Sequence, residues 1–161
     1  MTDERKIVFH QLTPEFYQEN IHLSETLFKY GQDKGRGYGI LLVATKGYRF
    51  AIPLRSKMNI RHKHNFTTKI HAPEGTRVRH GLDYTKALII SEDRFIATRD
   101  FLLAEKNDYL KIAKSEHKII NEFEAFIDKY IHAVHKNDEN ILREYRYSTL
   151  QNYHVELGLQ L

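Results

Sequence analysis

The stretch Leu54-Arg55-Ser56-Lys57-Met58-Asn59-Ile60-Arg61-His62-Lys63-His64-Asn65-Phe66 sets four cations, two histidines and a serine within thirteen residues. Cleavage of RNA by its own 2′-hydroxyl needs no protein nucleophile. It needs a base near the 2′-oxygen, an acid near the departing 5′-oxygen and cations on the charge that grows at phosphorus. Arg55 or Lys57 can neutralise the phosphate, Ser56 can donate a hydrogen bond to it, and His62 or His64 can move protons, with Asn65 and Phe66 left to hold a base. The bland reading of the same residues is a cationic binding face with structural histidines. A metal fits less well. His62 and His64 are two residues apart and His132 and His135 one helical turn apart, but a catalytic zinc takes about three ligands around an open position. No carboxylate neighbours His62 and His64, so neither a metal nor another cofactor is expected.

The charge around this stretch is segregated. From Lys34 to Arg79 there are eleven Lys/Arg and one acid, Glu74, with His62, His64 and His71 threaded among them and His80 directly after. The flanks, residues 1–33 and 81–161, each carry a net charge of −3. Self-repulsion of that density destabilises a fold unless a polyanion is the neighbour, and nucleic acid is the commonest one. The predicted catalytic set is Arg55, Ser56, Lys57 and His62. The predicted RNA-binding set is Lys34, Arg36, Arg49, Arg61, Lys63, His64, Asn65, Phe66, Lys69, Arg77 and Arg79. The glycines at 35, 37 and 39 precede a strand instead of joining strand to helix, so they match neither the dinucleotide nor the P-loop fingerprint. Glu122, Glu124 and Asp128 are expected as solvated charge on a helix face. Tyr145, Tyr147 and Tyr153 could stack bases, and core packing explains at least two of them equally well.

Periodicity and turn chemistry predict the elements that position these groups. Ile7-Val8-Phe9 reads as a short strand, and Thr13-Pro14-Glu15 writes a helix start that turns Phe16 and Tyr17 inward. A second helical stretch runs near Leu23 to Tyr30 and stops at Gly31. Ile40 to Ala44 and Tyr48 to Leu54 form a hairpin across Thr45-Lys46-Gly47. Residues 55–65 show neither period and read as a loop hung on the second strand, a usual place for a site. Phe66 to Ile70 is another strand, Ala72-Pro73-Glu74-Gly75 a turn, and Ala87 to Ile90 a short apolar strand of the sheet-centre kind. From about Asn107, apolar residues between Tyr109 and Val134 recur every three or four positions and predict one long amphipathic helix. It breaks at Lys136-Asn137-Asp138, before a last helix with Ile141, Leu142, Tyr145 and Tyr153. Strands in front and helices behind predict an α+β fold, a twisted and mainly antiparallel sheet surrounded by helices.

At 161 residues the chain fits a single domain spanning 1–161, and 41% apolar with 29% charged residues excludes a disordered tail. It contains no cysteine, so disulfides and Cys-ligated zinc are excluded. Met1 to Lys6 lacks the apolar core of a signal peptide, and the longest uncharged apolar run, Tyr38 to Ala44, falls far short of the roughly 20 residues that span a bilayer. A cytoplasmic protein with no membrane partner is expected.

One arrangement of residues is similar to a known family. It runs Phe9, Leu12, Phe16-Tyr17, Arg36-Gly37-Tyr38 leading into Ile40-Leu41-Leu42-Val43, then Gly47-Tyr48-Arg49-Phe50-Ala51-Ile52-Pro53-Leu54-Arg55-Ser56, His62-Lys63 and Gly81-Leu82-Asp83-Tyr84-Thr85-Lys86-Ala87. This order resembles the type III toxin–antitoxin toxins ToxN, TenpN and CptN, with AbiQ a relative in phage defence, and looks closest to the TenpN and CptN branch. The resemblance implies a metal-independent endoribonuclease on a twisted antiparallel sheet similar to MazF and Kid, leaving a 2′,3′-cyclic phosphate and a 5′-hydroxyl. It implies an antitoxin RNA, cut from tandem repeats into pseudoknots that occupy the toxin's groove in a cyclic assembly, and cellular or phage RNA as substrate. The family's hairpin-end serine corresponds to Ser56, and the basic residues around it to Arg55, Lys57 and Arg36. ToxN carries Thr before that serine and Pro-Lys after it, whereas Arg55 precedes and Lys57-Met58 follow here. Both cations therefore stay candidates for the phosphate, and His62 a candidate replacement for a lysine in acid–base work.

The resulting expectation is an RNA-cleaving toxin held in check by an RNA antitoxin. Its rival is a non-catalytic RNA-binding module, which the charge pattern permits equally well. Paired histidines at the end of a hairpin favour the enzyme, because a passive groove has no use for them.

Overall fold

The computed structural model describes residues 7–27, 39–103 and 105–159. Lys34, Arg36 and the glycines at 35 and 37 lie outside these residues. The fold is α+β, with six antiparallel strands and four α-helices among the described residues. The strands are β1 (Phe9–His10), β2 (Ile40–Thr45), β3 (Tyr48–Asn59), β4 (Asn65–His71), β5 (Val78–Asp83) and β6 (Leu88–Ile89). They run in the order β1-β2-β3-β5-β4, with β6 paired to β3 beside this path. The helices are α1 (Pro14–Glu19), α2 (Lys106–Lys114), α3 (Glu116–Lys136) and α4 (Glu139–Glu144). No helix among the described residues is long and apolar enough to cross a membrane.

The β2–β3 hairpin forms where its turn chemistry asks for it. Thr45 pairs with Tyr48, and the two residues between them, Lys46 and Gly47, both have positive φ (57° and 80°), which matches the twist of the flanking strands. Alternation along β3 then feeds two cores. Phe50, Ile52 and Leu54 join a cluster with Leu82, Ile119, Phe123 and Ile127, while Ala51 joins Leu12, Phe16, Ile40, Leu88 and Phe95 in the other. Phe50 meets Phe123 edge-on, with ring centroids 5.2 Å apart. Burying an aromatic ring such as Phe123 contributes roughly 1.5–3 kcal/mol, so α3 is held to the sheet by a few such rings. Thr13 caps α1 by accepting the Phe16 N–H, and Phe16 and Tyr17 point inward, as the capping residues predict.

Several elements differ from the sequence-based expectation. The stretch 55–65 is not one long loop. β3 continues to Asn59 and β4 begins at Asn65, so only residues 60–64 connect them. The polar pattern hid this because β3 bulges here, Ser56 and Lys57 together facing His80 of β5. β5 itself was missed, since it mixes Arg79, His80 and Gly81 with its apolar residues. The stretch Leu23 to Leu27 is irregular, not helical: Glu25 takes a φ of 65° and the Ser24 N–H donates to the Asn152 side chain. β6 pairs only with β3, at Phe50 and Ala51, and is therefore not a central strand. The stretch from Asn107 is divided at Ser115 into α2 and α3, and the apolar period runs through the break because Ile112 and Ile119 both enter the same core. Phe66, expected to hold a base, is buried in that core, because its position on β4 alternates with the outward Asn65 and Thr67.

A second bulge sits on β4, where Thr68 is the extra residue between the Thr67–Gly81 and Lys69–His80 pairs. Two bulges thus flank His80 and Gly81. The backbones are so close that a Cβ on Gly81 would lie 2.0 Å from the Phe66 carbonyl oxygen. Gly81→Ala is expected to cost roughly 2–4 kcal/mol, lowering the melting temperature by about 5–15 °C in calorimetry. An unchanged melting temperature would show that β4 and β5 can separate at this point without loss.

Candidate nucleic-acid cleft

Asp83 closes β5, and its side chain is fully buried. Buried carboxylates need partners, and this one has four contacts. Its Oδ2 accepts from an Arg55 guanidinium nitrogen at 2.7 Å, and its Oδ1 meets His62 Nε2 at 2.8 Å. The same Oδ1 accepts from the Thr85 N–H at 3.0 Å and the Thr85 hydroxyl at 2.6 Å. Burial pushes the pKa of Asp83 up, but the hydrogen bond and charge of His62, with the bonds from Thr85 and Arg55, outweigh it and hold the group at about 2. Asp83 is therefore ionised at neutral pH.

Local geometry fixes the His62 loop. Asn59 accepts the Arg61 N–H on its side-chain oxygen at 2.8 Å and the His62 N–H on its carbonyl at 2.9 Å. From the other side Asn65 donates its amide to the His62 carbonyl, and Arg79 donates Nε to the Ile60 carbonyl. The loop is thus pinned by residues on three strands. An ionised carboxylate only accepts, so His62 carries its proton on Nε2, toward Asp83. Its Nδ1 has no partner among the described residues.

Arg55 and His62 form the floor of an open cleft of about 520 Å³, walled by Arg61, Lys63, Lys86, Arg143, Arg146 and Tyr147. Among the described residues Glu144 is the one acid in its lining. It stands 3.7 Å from His64 and 3.5 Å from Lys129. His64 also lines the cleft, but it stacks on Tyr145 (5.5 Å, 25°) beside Phe126, and burial pushes its pKa down, with Glu144 acting against the shift.

No family model, curated protein or solved structure matches this chain. The site's meaning has to come from its own chemistry.

The residues predicted from sequence separate into groups. Arg55, Arg61, His62, Lys63 and His64 come together in the cleft. Asn65 and Arg79 buttress the loop behind it. Ser56 and Lys57 do not line it: the Ser56 carbonyl lies 2.7 Å from His71 Nε2, and Lys57 pairs with Glu74. Lys69 pairs with Glu105 at 2.5 Å and lies 3.8 Å from Asp108. Arg49 sits six residues, about 20 Å, up β3 and bonds to Asp93, while Arg77 is exposed in the turn before β5. Glu122, Glu124 and Asp128 are not simply solvated, since they accept from Tyr84, Thr45 and Lys46 respectively. Of the three tyrosines, Tyr145 and Tyr153 are core residues and Tyr147 is exposed.

His71 and His80 form a second group, with rings 6.2 Å apart. His80 contacts the Thr68 hydroxyl at 2.8 Å and lies 3.6 Å from Asp108. Burial pushes its pKa down, with Asp108 acting against the shift. His80 and Asp83 are three residues apart on an unbulged strand, so this group faces away from the cleft. Among the described residues no three His, Asp or Glu side chains are placed to share a metal.

Asp83, Thr85, Lys86, Arg143 and Arg146 were missed from sequence. The first three lie in the Gly81 to Ala87 stretch that carries the family resemblance, and Asp83 had a further signal, an acid ending a basic segment with a hydroxyl residue two positions on, the pattern in which Asp bonds to the following backbone.

A carboxylate held at about 2 against an ordinary 3.8 contributes stability that is complete above about pH 4 and lost as pH falls through 2. Asp83→Asn is expected to lose about 2 kcal/mol at neutral pH, with the deficit closing between pH 4 and 2. Urea titrations of both proteins across that range measure it, and a deficit independent of pH would contradict the assignment.

Proposed function

We propose that this chain is an endoribonuclease toxin of the type III toxin–antitoxin kind, cutting RNA without a metal. One observation carries the reading above the others: buried, ionised Asp83 holds His62 and Arg55 side by side on the floor of a cationic cleft. A carboxylate that fixes the tautomer and direction of an imidazole is a device of acid–base catalysis. His62 Nδ1 takes the proton of the RNA 2′-hydroxyl, whose oxygen attacks phosphorus. The 5′-oxygen leaves and takes a proton from solvent water, giving a 2′,3′-cyclic phosphate and a 5′-hydroxyl end, and His62 returns the proton it gained to solvent. The guanidinium nitrogens of Arg55 not engaged by Asp83 hold the phosphate as its charge grows. Ser56 and Lys57 lie outside the cleft lining and have no role in this step.

The rest of the reading rests on the resemblance: a MazF-like arrangement of the antiparallel sheet, a cytoplasmic setting, cellular or phage RNA as substrate, and a repeat-derived antitoxin RNA seated in the same cleft within a cyclic assembly. The cleft's charge fits that partner, because six cations against one acid favour a polyanion of either kind.

Purified protein is expected to cut single-stranded RNA in EDTA and to spare a strand with 2′-deoxy at the scissile nucleotide. His62→Ala should lose roughly 100-fold or more in single-turnover rate with RNA binding retained. Binding should weaken with salt by roughly 0.7 in log–log slope per phosphate neutralised. Salt-sensitive binding with no cutting under any condition would leave the non-catalytic RNA-binding module as the answer. Loss of cutting on chelation, restored by a divalent ion, would replace the mechanism.

A further inference from the structure

Tyr147 is 59% exposed, although Tyr145 and Tyr153 on either side of it in sequence are buried. Scattered exposed apolar groups are ordinary, but this ring stands at the rim of the cleft that holds Arg55 and His62. One side of it is taken: the Arg146 guanidinium carbon lies 4.9 Å from the ring centroid. We propose that Tyr147, backed by Arg146, is the stacking platform for an unpaired nucleobase beside the scissile phosphate. This inference rests on the nuclease reading and deepens it by naming the side chain that receives a base of the single strand.

The platform is tied to the floor of the cleft. Lys86 donates Nζ to the Tyr147 carbonyl at 2.8 Å. Two residues on, buried Thr149 donates its hydroxyl to the carbonyls of Thr85 and Ala87, the former at 3.2 Å. Thr85 is the residue whose N–H and hydroxyl bond Asp83. Two short pieces of backbone, 83–87 and 147–149, are thus tied to each other by hydrogen bonds, which sets the Tyr147 backbone against the carboxylate that orients His62. A base stacked on the open side of Tyr147 is held in register with the phosphate on Arg55. Arg146, Lys86 and Arg143 line the cleft with Tyr147, against Glu144 in the same lining, and Lys86 also meets Glu25 at 3.4 Å, so the balance near the ring is cationic and suits the phosphates flanking such a base. A base inside a duplex is stacked on its neighbours and cannot lie on the ring, so the platform selects single strands.

The test is steady-state cleavage of a short single-stranded RNA by wild type, Tyr147→Ala, Tyr147→Phe and Tyr147→Leu. Tyr147→Ala and Tyr147→Leu should raise KM roughly tenfold or more, with the loss falling on KM and not on kcat, as expected when stacking is equal in ground and transition states. Tyr147→Phe, which keeps the ring, should recover most of that loss. The same RNA annealed to its complement should be a poor substrate for the wild type. A 2-aminopurine placed next to the scissile position of an uncleavable 2′-deoxy analogue should be quenched on binding by wild type and not by Tyr147→Ala. Unchanged KM in Tyr147→Ala, equal cleavage of the duplex, or quenching that survives removal of the ring would each overturn the platform while leaving the nuclease standing. A wild-type protein that cuts no RNA overturns the nuclease reading itself, and is told apart from failure of the platform because no variant is needed to see it.

Discussion

Everything at the cleft depends on a negative charge placed where water cannot reach it. An isolated carboxylate in such a position would be expelled or protonated, and Asp83 is neither, because a guanidinium, an imidazole, a hydroxyl and a backbone N–H converge on its two oxygens. Its partners come from separate parts of the chain. Arg55 lies on β3, His62 in the short loop before β4, and Thr85 in the turn after β5. Removing the carboxylate would leave four polar groups searching for partners and would free the imidazole to rotate. The net stability of such a buried ion group is small compared with the damage of breaking it. Its value lies in orientation.

The sheet is shaped to make that convergence possible. β3 is twelve residues long and serves β2 along one edge, while β6 and then β5 share the other. The bulges at Ser56–Lys57 and at Thr68 bend both neighbours of β5 around His80 and Gly81. One face of this region carries Arg55, Asp83 and the His62 loop, and the other carries His80 against Asp108 of α2. A side chain at Gly81 would meet the Phe66 carbonyl, so the close approach of β4 depends on its absence. The helices close the arrangement. α3 covers the core with Phe123 and Ile127, and α4 brings Arg143 to the cleft, with Arg146 and Tyr147 just beyond it.

What could be read from sequence follows the range of the forces involved. The β2–β3 hairpin, the start of α1 and the stop after Lys136 are written in local residues, and Asn137 indeed takes the left-handed conformation there. β5 and the far half of β3 were illegible because their pairing, not their composition, makes them strands: Arg79 and His80 hold no apolar alternation, yet both face partners across bulges. The cationic cluster was visible as composition, but its division was not. Arg55 and Ser56 are adjacent in sequence, and only strand geometry sends one to the cleft and leaves the other beside His71. Arg143 and Arg146 lie more than eighty residues from Arg55 and carry no signal of nearness to it.

The choice between an enzyme and a passive binder turns on the sign of the central charge. A surface evolved only to hold RNA gains from each added cation and loses from an anion beneath them, since the same phosphates would be repelled by it. Asp83 weakens the attraction of Arg55 for a phosphate by neutralising part of its charge. That loss has no counterpart in a binder. In an enzyme the same carboxylate fixes which nitrogen of His62 bears the proton, leaves Nδ1 without a partner among the described residues and aligns Arg55 beside it, so that the groups meet developing charge without reorganising. The anion under the cations is thus an unfavourable feature for affinity and a useful one for chemistry, and the four hydrogen bonds made to hold it there favour the second account.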